Sequence, residues 1–181
     1  MKLMFASDIH GSVYYLKKVL EAFEEEKAER LVLLGDLLYH GPRNPLPLEY
    51  DPKIVAELLN KNKEKLLAVR GNCDAEVDQM VLDFPIMQDS LVLFLENKQV
   101  FVTHGHLFSL DKMPLLNKGD VLINGHFHIG EIKEVNDIYY LNPGSVSLPK
   151  NDFRGYIVYE NGVFTLKTFE KEIRATLKIA E

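Results

Sequence analysis

All six histidines of this chain, His10, His40, His104, His106, His126 and His128, stand in short polar clusters or directly after one, and the rest of the sequence has none. The clusters are Ser-Asp-Ile-His-Gly at 7–11, Gly-Asp at 35–36, Gly-Asn-Cys-Asp at 71–74, Thr-His-Gly-His at 103–106 and Gly-His-Phe-His at 125–128. A lone histidine is more often a satisfied core or surface residue, but six gathered in this way reverse that preference. Imidazole, carboxylate and amide oxygen together suit borderline first-row cations such as Mn, Fe, Zn or Ni. They suit a thiolate-rich zinc site or an all-oxygen calcium site less well. Asp8-x-His10 and His126-x-His128 are each spaced by two, which in extended backbone sends both side chains to one side.

Such groups act together only if the chain brings them to one place. Each cluster follows a short apolar run that reads as a buried strand: 3–6, 31–34, 66–69, 100–103 and 121–123. In open α/β sheets, residues beyond the carboxyl ends of strands converge on one crevice. Between the early runs, Ser12 is an N-cap for a helix carrying Val13, Leu16, Leu20 and Phe23, and Asp51-Pro52 opens a second with Ile54, Val55, Leu58 and Leu59. The last third is strand-rich, over 131–135, 138–141, 156–159 and 163–169, with Asn161-Gly162 as a hairpin turn. The expected fold class is α/β (α+β), a four-layer αββα sandwich of two mixed sheets flanked by helices, with residues 1–181 as a single domain.

A net charge of -6 argues against a broad phosphate-tracking surface, so a nucleic-acid partner is not expected. One cysteine, Cys73, agrees with a reducing compartment, and no run of about 18 apolar residues occurs, so the expectation is a cytoplasmic protein without membrane contact. The apolar segment Met80, Val81, Leu82, Phe84, Ile86 and Met87 reads as core or interface in preference to a pocket.

The order Asp-x-His, Gly-Asp, Gly-Asn-x-Asp, Gly-His, Gly-His-x-His, from Asp8 to about Ser145, resembles the calcineurin-like metallophosphoesterases. Within them, the stretches SDIHG, GDLLYHGPRNP, VRGNCDAEVDQM, THGHLF and LNPGSVSLPK are similar to the small bacterial YfcE-type phosphodiesterases. The resemblance implies a small-molecule phosphodiester substrate and two divalent cations, Mn(2+) first, with Zn, Ni, Fe or Mg as alternatives. Asp8, His10, Asp36 and His128 would hold one cation; Asp36, Asn72, His104 and His126 the other. Such a pair would share a bridging hydroxide and clamp the phosphate. It further implies that His106 orients a ligand or the phosphate, that LNPGSVS closes over the metals, and that homo-oligomers form.

His40 and Arg43, in HGPRN, are candidates to bind the phosphate or the leaving group. Where the wider family has Gly-Asn-His followed by an acid, this chain has Gly71-Asn72-Cys73-Asp74, so the usual leaving-group acid is replaced by a thiol. A thiol near pH 7 is a weaker acid catalyst than histidinium, and nearby cations would favour its thiolate. Diesters with acidic, aryl-type leaving groups are therefore expected to react best. The rival expectations are an inactive binding scaffold on the same fold, a nuclease of the same metal chemistry, and a hydrolase using Cys73 as nucleophile.

Overall fold

The computed structural model describes residues 1–179. The chain begins β1 (Lys2–Ala6), α1 (Val13–Glu26), β2 (Arg30–Leu33), α2 (Pro52–Lys61) and β3 (Leu66–Ala68), with β1, β2 and β3 parallel. The caps are those the sequence announces. The Ser12 hydroxyl accepts from the Tyr15 N–H, and the Asp51 carboxylate accepts from Lys53 and Ile54 at the start of α2. After the single-turn α3 (Glu76–Gln79) come β4 (Ser90–Leu95), β5 (Lys98–Thr103), β6 (Val121–Ile123), β7 (Gly130–Val135), β8 (Ile138–Pro143), β9 (Gly155–Glu160), β10 (Val163–Thr168) and β11 (Ile173–Lys178).

The strands form two mixed sheets, ordered β11-β10-β9-β1-β2-β3 and β4-β5-β6-β8-β7. Side chains alternate across a strand, so a wholly apolar strand has both faces buried. Leu3, Phe5, Val32 and Leu34 point from the first sheet toward Val100, Val102, Val121 and Ile123 of the second. Met4, Ala6, Leu31 and Leu33 point the other way, onto Leu16, Val19 and Phe23 of α1 and Val55 and Leu59 of α2. Two sheets face to face with helices outside the first is the expected sandwich. Outside the second sheet, Leu122, Ile138 and Tyr140 are covered by Leu110 and Leu116 of the irregular stretch 104–120, so the fourth layer there is loop where helix was anticipated. The apolar segment after α3 divides. Leu82, Phe84 and Ile86 are buried in the helix-side core, while Met80 and Val81 are exposed. No helix among the described residues is long and apolar enough to cross a membrane.

Candidate metal centre

The parallel strands β1, β2 and β3, and likewise β5 and β6, end at one rim of the sandwich, and each end carries one of the polar clusters. The turns are sharp. Asp8, His10, Asp36, His126 and His128 all adopt positive φ, between 51° and 64°, a conformation that costs an ordinary residue of order 1 kcal/mol and recurs at functional sites. Close approach of the loops also requires glycine: a Cβ on Gly71 would lie 2.1 Å from Asp36 Oδ1, and one on Gly125 1.9 Å from Ser7 Oγ.

Three imidazoles are held in a single orientation by backbone carbonyls. The Nδ1–H groups of His10, His104 and His128 donate to Tyr39 O (2.8 Å), Leu34 O (2.6 Å) and Leu148 O (2.7 Å). Each Nε2 is therefore left as a lone-pair donor. Those of His10 and His128 face each other at 3.3 Å, and that of His128 lies 3.1 Å from Asp8 Oδ1. Asp8 Oδ1 is buried without a hydrogen-bond partner. Asp36 Oδ2 stands between two of the rings, 3.7 Å from His10 Nε2 and 3.5 Å from His104 Nε2, and Asn72 Oδ1 is 3.0 Å from His104 Nε2. Donor atoms of Asp8, His10 and His128 lie within 4.8 Å of one another, as do those of Asp8, Asp36 and His104. Anionic oxygens and imidazole lone pairs converging in a buried space repel one another until positive charge enters between them, and a divalent cation fits this donor set.

Proton affinities respond to the same crowding. Burial would push the Asp8 carboxyl up, but the His10 and His128 rings overcome it and hold it well below the usual range. Burial pulls His10 down, yet Asp8 and Asp36 leave it raised. Burial, and then the adjacent His104, lower His126 to about 4, so this imidazole is a free base at neutral pH.

Of the other expected residues, Arg43 lies with Asp36, Asn72, Cys73 and His126 on the wall of a cleft of about 350 Å³. His40 does not. Its ring packs edge-on against Tyr39 and Tyr50, away from that wall. His106 stacks edge-on against His104 with Nδ1 buried and unpartnered, and burial lowers its basicity. The 141–147 stretch is buried behind the site instead of closing over it: the hydroxyls of Ser145 and Ser147 donate to the Asp8 carbonyl, which fixes the strained Asp8 turn.

Two contributors were not anticipated. The Asp74 carboxylate accepts from the backbone N–H groups of Asp36 (2.8 Å), Leu37 (2.9 Å) and Gly71 (2.7 Å), joining two ligand loops. Burial and then Asp36 push its pKa up to about 6, against the pull of those three donors. Lys150 lies on the cleft wall and donates its backbone N–H to His128 O. Asp74 follows Asn72 in sequence and is visible there, but nothing marks it as the acceptor at the Asp36 turn.

Cys73 Sγ is close to the donor atoms of His10 and Asp36. Burial, then Asp36, push its thiol upward, so the protein's own groups hold it protonated. In the absence of cations that raised thiol is a poor nucleophile, which weakens the nucleophilic-cysteine rival.

The calcineurin-like phosphoesterase superfamily domain matches residues 1–161. The chain is 54% identical over 150 residues to phosphodiesterase YfcE of Escherichia coli (strain K12), covering 83% of this chain and 82% of that protein. It is 26% identical over 181 residues to a phosphodiesterase of Methanocaldococcus jannaschii, covering 96% and 97%. The solved structure of YfcE, a phosphoesterase from E. coli, superposes with a TM-score of 0.95 at 48% identity, covering 99% of this chain and all of the other. Vps29 of Entamoeba histolytica, solved with Zn(2+), shares the fold at a TM-score of 0.58 and 17% identity, over 99% of both chains. With the family's match spanning most of the sequence and the cluster lying inside it, this chain belongs to the calcineurin-like phosphoesterase superfamily.

Proposed function

We propose that this protein hydrolyses phosphodiesters with two divalent cations, the first held by Asp8, His10, Asp36 and His128 and the second by Asp36, Asn72, His104 and His126. The observation that carries the reading is the fixed orientation of three imidazoles, each giving its Nδ1–H to a carbonyl and aiming Nε2 at Asp8 or Asp36. A binding scaffold has no use for that convergence. The place of Asp36 between His10 and His104 supports a shared ligand, and the ligand mix supports Mn(2+). The relatives named as phosphodiesterases support a diester substrate.

When bound, such cations supply a nucleophilic water at neutral pH and neutralise charge on the phosphorus centre. The chain's own residues do the rest. Asp74 and the serines behind Asp8 hold the ligand turns in place, and Arg43 and Lys150 give the cleft wall positive charge for an anionic ester. A protonated Cys73 with little acid strength gives an alkoxide leaving group scant help, so aryl-type leaving groups are favoured. The reading takes residues 1–181 as one domain, in the reducing cytoplasm that its single free cysteine suits.

Hydrolysis of bis-(p-nitrophenyl) phosphate with Mn, Mg, Zn or Ni supplied separately tests this. The rate is expected to depend on the metal and to fall at least a hundredfold in Asp36→Asn while the circular dichroism spectrum is unchanged. A folded protein with no metal-dependent rate on any of the four would leave the scaffold reading in its place.

A further inference from the structure

Beyond Cys73 the surface opens into a second, larger hollow of about 680 Å³, and Cys73 lines both this hollow and the metal cleft. We propose that this groove is the leaving-group pocket of the diesterase and that it selects departing alcohols that are flat, apolar and uncharged. The inference rests on the phosphodiesterase reading above and adds to it a size and charge rule that the metal centre cannot supply.

The groove is built by elements that also build the site. One wall is a single face of α2, with Lys53, Ala56, Glu57 and Asn60 at helical spacing. The other is the α3 region, contributing Val77 and Val81. Tyr39 and Tyr50 supply aromatic surface, and the Tyr39 carbonyl is the acceptor that orients His10, which ties the groove to a metal ligand. Val77, Val81 and Tyr39 are 63%, 51% and 42% exposed, an unusual amount of apolar and aromatic side chain to leave uncovered in a concave surface of ligand size.

Two further observations favour a small-molecule arm over other occupants. The groove joins the cleft at Cys73, the position on which the leaving-group argument turns, so one ester can place its phosphorus in the first hollow and its departing alcohol in the second. Its charged residues are Glu57 and Asp78 against Lys53, a formal balance of -1, which repels alcohols that carry phosphates of their own and leaves neutral ones. The cations of the site, Arg43 and Lys150, are confined to the metal cleft.

The test is competition. Methyl phenyl phosphate and methyl 2-naphthyl phosphate have leaving alcohols of similar acidity but different apolar area, and each is titrated as an inhibitor of bis-(p-nitrophenyl) phosphate hydrolysis by the Mn-loaded enzyme. The naphthyl ester is expected to inhibit about tenfold more tightly, the ratio that burying one extra ring provides. Val77→Glu and Val81→Glu, both at exposed positions that a charge does not unfold, should erase that ratio. Equal inhibition by the two esters in the wild type, or a ratio that survives both substitutions, overturns the assignment. So does a gel-filtration shift from dimer to monomer in Val81→Glu with the ratio intact, which would give the face to a second copy of the chain. If folded wild-type protein fails to hydrolyse bis-(p-nitrophenyl) phosphate with any of the four cations, the diesterase reading itself fails and the groove assignment with it.

Discussion

The clustering of the candidate site is legible in the sequence because four of its proposed ligands form two pairs spaced by two residues and every proposed ligand stands in a polar cluster after a strand. Asp8 with His10, His126 with His128, and Asn72 beside Cys73 announce themselves. The orienting partners do not, since the carbonyls of Leu34, Tyr39 and Leu148 belong to the backbone, which every residue has. Nor does the sequence distinguish His40 from the other histidines, although its ring packs edge-on against Tyr50. Asp74 is the residue whose importance only geometry reveals. Because it gathers three N–H groups from the two loops carrying Asp36 and Asn72, Asp74→Asn should weaken Mn binding by 10–100-fold in isothermal titration without unfolding the protein. Unaltered affinity would reduce Asp74 to a local turn former. Cys73→His is expected to change selectivity more than binding. By supplying an acid near neutral pH it should raise the rate on alkyl diesters relative to aryl diesters by at least tenfold, and unchanged relative rates would remove Cys73 from protonation.

Among the elements, the apolar runs that end in polar clusters stand out in the sequence, whereas two edge strands do not. β4 and β11 lie at sheet edges, where only one side of the strand is paired and side chains such as Phe94 (75% exposed) and Ile173 (62%) face outward, so burial periodicity fades. The helix layer outside the second sheet was expected from fold logic, but between β5 and β6 the sequence offers Pro114, Asn117 and Gly119, and a loop covers the face instead. How α1 is fastened to the first sheet was also hidden. Glu26, at its last turn and with only 10% of its side chain exposed, meets Lys167 of β10 at 2.8 Å, Lys2 of β1 at 3.0 Å and the Tyr156 hydroxyl of β9 at 3.0 Å. Burial opposes the charge, but these three partners leave the carboxyl pKa below its ordinary 4.5. The folded state thus holds the carboxylate more tightly than the unfolded chain, and the stabilisation is present above pH 4.5 and disappears as pH falls through the lower folded value. Glu26→Gln should cost about 2 kcal/mol in urea unfolding at pH 7, and the gap should close in acid. A gap that persists well below pH 4.5 would show that packing, not charge, is what the glutamate provides.

For the whole molecule, the proposed cation pair would join two halves of the fold. Asp8, His10, Asp36 and Asn72 follow strands of the first sheet, whereas His104, His126 and His128 follow strands of the second, so bound metal would crosslink sheets that otherwise meet through apolar side chains and a few hydrogen bonds such as those from His104 to Leu34 O and from Ser145 to Asp8 O. An unfolded chain cannot assemble that ligand set, and binding energy therefore appears as folding stability. At a free Mn concentration a hundred times its dissociation constant the gain is about 2.7 kcal/mol, which for a chain of this length corresponds to a melting temperature about 5–10 °C higher than in chelator. Asp36→Asn separates the two roles of that carboxylate. With Asp74 buried and charged beside it, the acid at position 36 is a liability in the absence of metal, and the amide can still accept the Cys73 N–H now held at 2.8 Å. The variant should melt in chelator no lower than the wild type, and it should lose most of the Mn-dependent rise. Calorimetry that found the same melting temperature for wild-type protein with and without Mn would mean that the seven side chains do not act as one cage across the sandwich.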